Sequence, residues 1–321
     1  MHTMEAISLE TVPCPLGCTV DDAWVVTGSD LLHDLPGSFS IVKCRTCGLM
    51  RTNPRPTPLS IGYYYPDDYG PYMGTRVRQV IGSQLPQRES PFKRLLKRVI
   101  VSKAQALPSV EPGRMLEIGC ASGAFLHKMA AQGWEVQGIE FSSTAAEAAA
   151  RLGHAVHVGP LETAPEPEEA FDLIVGWMVL EHLHDPVMGL RKLRDWAKPD
   201  AWLAVSVPNA GSCEFRLFGR RWFALHLPNH LYHFSPRTLE KVLDAGGWSL
   251  DRVHHQRVLG NFVVSLGYVL RDWGFGRLAR PLINVPARVE PILYLALFPL
   301  AWLLSLFGQT GRMTVWARVK P

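Results

Sequence analysis

The stretch Met115-Leu-Glu-Ile-Gly-Cys-Ala-Ser-Gly-Ala-Phe125 constrains this chain more than any other. A short apolar run ends in Glu117-x-Gly119-x-x-x-Gly123 and passes into a helical pattern over 125–134, FLHKMAAQGW. A second apolar run, Trp134 to Glu140, then ends in a carboxylate. The order is strand, glycine turn, helix, strand, acid. The glycines allow a ligand an approach to the backbone that a Cβ would block. An acid closing the second strand is placed to accept both hydrogen bonds of a ribose diol. The dinucleotide fingerprint G-x-G-x-x-G is not met, because Ala121 stands where its middle glycine would fall.

The spacing E-x-G-x-x-x-G resembles the first motif of class I S-adenosylmethionine-dependent methyltransferases. The resemblance runs from Gly113 to Arg257. Phe171 to Pro186 is similar to that family's fourth strand and the turn after it. Trp202 to Asn209 is similar to the fifth strand. His230-Leu-Tyr-His-Phe-Ser-Pro236 with TLEKVLDAGGW after it resembles the helix that precedes strand six. The implied fold is a seven-stranded Rossmann-like α/β sheet. The implied cofactor is S-adenosylmethionine, held at its methionine end by Glu117, Gly119, Cys120 and Gly123 and at its ribose by Glu140. By the same resemblance Phe141 flanks the adenine, Glu162 approaches its amino group, and Trp177 and Met178 close the far side.

Length and composition set outer bounds. A chain of 321 residues, 47% apolar, is long enough for one large core and a smaller module. A net charge of +4 shows no concentrated basic face, so no nucleic-acid partner is expected. The first residues lack the basic start and apolar run of a signal peptide, which leads to an expectation of a cytoplasmic protein, with a peripheral position on the inner face of the membrane as the alternative.

Four of the six cysteines fall in two pairs, Cys14/Cys18 and Cys44/Cys47, separated by β-forming segments. Two such pairs on hairpin turns suit a tetrahedral thiolate site for structural zinc, with free thiols and disulfides as the competing readings. A stretch this short buries little apolar surface alone, so a metal staple makes physical sense. With the following Asn53-Pro-Arg-Pro and Tyr63-Tyr-Tyr-Pro, it resembles the start of zinc-ribbon methyltransferases from bacterial sugar and cell-envelope pathways. The expected organisation is a zinc-ribbon-like module over 1–60 and a linker with a covering helix over 61–112. The cofactor-binding domain follows over 113–260, an apolar helical insertion over 261–310, and a final strand of the same sheet over 311–321. In the linker, residues 90–103 have the spacing of a basic amphipathic helix, read either as a cover for the cofactor pocket or as a contact for anionic membrane.

No charged residue occurs between Pro291 and Gly311. Length alone makes this run a membrane-span candidate. Pro299 interrupts it, however, and Arg312 to Val319 reads as a strand that must return to the sheet. The open readings are core, a homodimer interface, a membrane-facing hairpin, or a re-entrant or spanning element.

Methyl transfer from a sulfonium is an in-line displacement in which the protein mainly aligns the acceptor, with a general base needed for a hydroxyl or an acidic carbon. The candidate bases are His182, His230 and His233, each of which has a bland alternative as a turn-ordering histidine. Ubiquinone O-methyltransferases carry E-x-x-E-H at the position of Glu181-His182, a set associated with a divalent metal. Here Met178 replaces the first acid, so the resemblance does not bring that metal with it. Arg216, Arg220 and Arg221 are read either as a phosphate clamp or as an exposed basic face. Together these features lead to methyl transfer to a small-molecule, sugar or lipid-linked acceptor of envelope or secondary metabolism. The alternatives are a quinone-type or lipid O-methyltransferase at the membrane surface, and a non-catalytic cofactor-binding regulator.

Overall fold

The computed structural model describes residues 7–66, 105–286 and 289–320. The expected basic helix over 90–103 lies outside the described residues.

The N-terminal part holds β1 (Leu9–Glu10), β2 (Asp22–Gly28), β3 (Phe39–Cys44), β4 (Met50–Thr52) and β5 (Arg55–Pro56). The main sheet is built from β6 (Arg114–Ile118), β7 (Glu135–Glu140), β8 (Ala155–Val158), β9 (Phe171–Trp177) and β10 (Ala197–Pro208). After a two-residue strand β11 (Tyr232–His233) come β12 (Trp248–His255) and β13 (Arg312–Val319). The spatial order is β12-β13-β10-β9-β6-β7-β8. Strands β10, β9, β6, β7 and β8 run parallel, while β13 is antiparallel to both β10 and β12. This is the seven-stranded Rossmann-like sheet that the sequence leads one to expect, and the structure adds that its last strand, β13, is reversed.

The central strands are apolar on both faces because helices cover both. Leu173, Ile174 and Val175 of β9 and Leu203, Val205 and Val207 of β10 are buried. Each such side chain contributes roughly 1.5–3 kcal/mol relative to exposure. The flanking helices start on side-chain caps. Ser142 accepts from Ala145 N, and Asp185 accepts from Met188 N with Pro186 in the first turn. Ser235 and Thr238 form a reciprocal capping box that opens the helix Pro236–Ala245.

The N-terminal sheet is tied to the main one. A four-stranded sheet has the order β11-β4-β3-β2, so the last strand of the N-terminal sheet comes from the 230s. Tyr232 pairs with Arg51 and His233 with Met50. Arg51 is buried and makes a forked contact to Asp22 at 2.9 and 2.6 Å. Between β12 and β13 lie three helices, Gly260–Asp272, Gly276–Ile283 and Glu290–Leu306. The insertion before the last strand is therefore helical, and its first two members pack together: a Cβ on Gly267 would lie 2.7 Å from Ile283 Cγ1.

Candidate active site

The turn after β6 is shaped by two glycines in the left-handed region, Gly119 at φ +65° and Gly123 at φ +78°. A Cβ on Gly119 would sit 2.4 Å from Val179 Cγ2, and one on Gly123 2.7 Å from Ala149 Cβ. The amides of Gly119 and Cys120 both donate to the carbonyl of Ile139, which locks the turn to the end of β7. That linkage brings Glu117, Gly119, Gly123 and Glu140 around one loop.

Glu140 is buried, and its carboxylate accepts from Ala121 N and Ser142 N, each at 2.8 Å. Burial pushes its carboxyl above the usual range, while the amides of Ser142 and Ala121 pull it down. Its carboxylate keeps acceptor capacity for a diol hydroxyl. Glu117 is also buried, and its Oε2 has no hydrogen-bond partner. Burial, and next the charge of Glu140, hold the Glu117 carboxyl well above its ordinary value. An orphaned buried carboxyl beside a glycine cradle fits the ammonium end of an amino acid ligand.

The other cofactor-side residues are distributed as follows. Phe141 is half exposed beside Glu140. The Trp177 ring stands edge-on to Phe125 at 5.2 Å, and its Nε1 is buried without a partner. Met178 occupies the left-handed region at φ +61°, its amide bonded to Ser206 O. Glu162 lies exposed in the short helix Leu161–Thr163. The Cys120 thiol turns into the core, where a Cβ on Gly138 would lie 2.6 Å from its sulfur, so Cys120 offers the site its backbone.

On the acceptor side, the turn after β9 meets the loop before β11. Leu231 N donates to Glu181 O, and Thr52 N to Leu231 O, so the ribbon sheet walls this region. Three imidazoles converge: His182 and His230 at 4.6 Å between ring centroids, His226 and His230 at 4.8 Å. His230 Nδ1 is 2.9 Å from the Ala224 carbonyl, which only accepts, so the proton sits on Nδ1 and Nε2 keeps its lone pair. His182 Nδ1 is held likewise by Asn229 O at 3.0 Å, with the Tyr65 hydroxyl at 2.7 Å. The Tyr65 ring lies 6.1 Å from Phe141 and 6.0 Å from His182, linking the cofactor side to the histidines.

Behind them Glu181 is fully buried, and neither carboxylate oxygen has a hydrogen-bond partner. His230 Nε2 is 3.8 Å from Glu181 Oε1. Burial pushes Glu181 up to about 8, with the charge of Arg312 pulling the other way. Burial lowers His182 to about 4 and His226 to about 3, and holds His230 well below the ordinary range. All three are neutral lone-pair carriers at pH 7.

Of the three histidines expected from sequence, His182 is half-buried at the site and His230 lies directly behind it. His233 is turned away on β11, bonded to Thr52 Oγ1 at 3.1 Å. His226 and Tyr65 join the cluster without a local signal in the sequence. The three lid arginines do not converge: Arg216 bonds Gln309, Arg221 pairs with Asp272, and Arg220 is exposed. Arg216 and Arg221 fasten their segment, the lid over 215–225, to the insertion.

Near the N-terminal sheet the sulfurs of Cys14, Cys18, Cys44 and Cys47 all lie within 4.8 Å of one another. A tetrahedral zinc with about 2.3 Å bonds needs sulfurs about 3.8 Å apart, and Cys14 and Cys47 are at 3.5 Å. Burial pushes the Cys44 thiol up, but the Cys47 and Thr46 amides and neighbouring thiols bring it down to about 7. The donor set fits a closed, all-thiolate ion.

The methyltransferase-domain family model matches residues 88–253, just over half of the chain. The chain belongs to this family and is an S-adenosylmethionine-dependent methyltransferase. Among curated proteins it is similar to the ubiquinone biosynthesis O-methyltransferase of Alkalilimnicola ehrlichii, 31% identical over 161 residues, covering 47% of this chain and 64% of that protein. The protein of the same description from Azorhizobium caulinodans is 25% identical, with 52% of this chain and 71% of that protein covered. The chain thus matches just under two thirds of the length of the first relative. Among solved structures, the [4+2]-cyclase SpnF superposes with a TM-score of 0.51 at 17% identity over 83% of this chain and 97% of its own, a likeness of fold.

Proposed function

We propose that this methyltransferase acts on a hydroxyl-bearing small molecule, a sugar or a lipid-linked sugar, with His182 as the base that takes the acceptor proton. The observation that carries this reading is the His182–His230–Glu181 array. His182 is tethered through Nδ1, its ring is half-buried at the junction with Phe141 and Tyr65, and Nε2 keeps a lone pair. S-adenosylmethionine, when bound, supplies the electrophilic methyl group. Glu117 and Glu140 orient the amino acid and ribose ends of that ligand. His182 accepts the hydroxyl proton, with His230 packed against its ring and the Glu181 carboxyl 3.8 Å from His230 Nε2 behind it. Tyr65 fixes the His182 ring through its hydroxyl at 2.7 Å from Nδ1.

A quinone-type phenol is the second reading, favoured by the names of the curated relatives and by the exposed apolar insertion. Incubation with methyl-labelled S-adenosylmethionine and a small-molecule extract of the source organism, beside phenolic quinone precursors, separates the two. His182→Ala should cut turnover by about 10²–10⁴-fold, the scale of a lost general base, and leave cofactor affinity unchanged. Full turnover in that variant returns His182 to a turn-ordering role.

The ribbon cysteines are proposed to hold one structural zinc per chain. Four thiolates leave no open coordination position, so the ion holds the hairpins together and takes no part in the reaction.

A further inference from the structure

The helix Glu290–Leu306 follows no rule for a helix of a water-soluble surface. Of its seventeen residues only Ala301 is buried. One side leans on the protein, with Leu293, Tyr294, Leu297 and Phe298 partly covered. The opposite side is exposed at Ile292 (68%), Leu295, Leu300, Leu303, Leu306 and Phe307 (69%). These positions follow helical spacing and form one stripe about 22 Å long at 1.5 Å per residue. No charge interrupts it from Pro291 to Gly311. An apolar patch of this extent marks an interaction surface.

The preceding helices expose further apolar groups and add charge. Trp273, Phe275 and Leu278 are exposed, and so are Arg271, Arg277 and Arg280. Asp272, the acid among them, is paired with Arg221. No helix among the described residues is long and apolar enough to cross a membrane, and β13 begins six residues after this one ends and returns to the main sheet.

We propose that the stripe of Glu290–Leu306, with Trp273, Phe275 and Leu278, docks the protein in the plane of an anionic lipid bilayer. Charge decides between lipid and a second copy of the chain. A two-fold interface would place the same exposed arginines near their own copies, whereas acidic headgroups complement them. Aromatic rings beside arginines and leucines form the composition that sits at the boundary between headgroups and acyl chains. The helix also ends at the acceptor side: Asn209 Nδ2 donates to the carbonyls of Gly308 and Thr310 at 3.0 Å, and Gln309 holds Arg216 of the lid. Docking therefore presents the lid to the membrane. The surface stands on its own exposure and charge, and the suggestion of a membrane-borne acceptor rests on the function proposed above.

Flotation of the full chain with phosphatidylcholine vesicles, with and without phosphatidylglycerol, tests the proposal. The wild type should float with the anionic vesicles, and added salt should weaken this. Leu303→Glu with Leu306→Glu should lower the bound fraction by about tenfold or more, with circular dichroism confirming an unchanged fold. Arg277→Glu with Arg280→Glu should weaken binding to anionic vesicles. Absence of flotation with both vesicles, equal flotation of wild type and the leucine variant, or a wild-type dimer in light scattering that the leucine variant abolishes, overturns it. Cofactor binding, measured separately, is expected to be the same in all variants, so a failure here is distinct from a failure of the methyl-transfer reading.

Discussion

Acidification should destabilise this protein through His233. His233 is 3% exposed and bonded to Thr52 Oγ1, whose own proton goes to the His230 carbonyl at 2.8 Å. Nε2 therefore carries the proton of a neutral ring. Burial alone lowers this histidine from 6.5 to about 3. A depressed folded value means that the stability is present above 6.5 and is lost as pH falls toward 3. Between pH 7 and pH 5 the linkage amounts to about 2 kcal/mol. Glu181 acts with the opposite sign. Its value is raised from 4.5 to about 8, so its contribution is intact below 4.5 and is lost as pH rises through 8. His182 and His226, lowered by burial like His233, add to the acid loss while Glu181 opposes it, which is why the comparison must be made against a variant. Urea unfolding of wild type and His233→Gln at pH 7 and pH 5 isolates the histidine. The wild type should lose about 2 kcal/mol more than the variant over this interval. Equal losses in the two proteins would show that the buried ring is not the titrating group.

Two further outcomes follow from local geometry. Gly119→Ala combines a positive φ with a Cβ 2.4 Å from Val179 Cγ2. Backbone strain alone is about 1–2 kcal/mol, and calorimetric titration should show S-adenosylmethionine affinity reduced by about tenfold or more; unchanged affinity would remove the cradle from the cofactor site. Elemental analysis of the purified chain should find about one zinc per molecule, and Cys44→Ser with Cys47→Ser should lose both the metal and several degrees of thermal stability. Metal-free protein with four freely reactive ribbon thiols would contradict that assignment.

Where the sequence speaks through short-range rules, the fold is legible in it. Gly119 and Gly123 need the left-handed region, Glu140 closes a strand, and Ser235-Pro236 starts a helix. These are local choices of backbone and cap. The cysteine pairs are readable for the same reason, since each pair spans one turn. The acceptor side is different. His226 meets His230 in a single turn, with His230 N donating to His226 O at 3.0 Å, but what sets that pair against His182 is the packing of this loop on the turn after β9, where Leu231 N donates to Glu181 O. Tyr65 reaches His182 across 117 residues of chain. The β11–β4 pairing joins residues nearly two hundred positions apart, and two-residue strands carry no periodic signal. The insertion shows the limit of composition. An apolar helix reads the same whether protein or lipid covers it, and only its placement outside the core separates these states. The lid arginines likewise have a plain charge pattern, yet their partners Gln309 and Asp272 come from a distant segment.

The central claim, that the glycine turn and Glu140 hold S-adenosylmethionine for methyl transfer, is tested most directly by calorimetric titration of that ligand into wild type and Glu140→Ala. The wild type should bind one equivalent. The variant, folded by circular dichroism, should bind more weakly by about 1.5–3 kcal/mol, the scale of hydrogen bonds to a charged group. A wild type that takes up no S-adenosylmethionine, or a folded variant with the same affinity, would contradict the account.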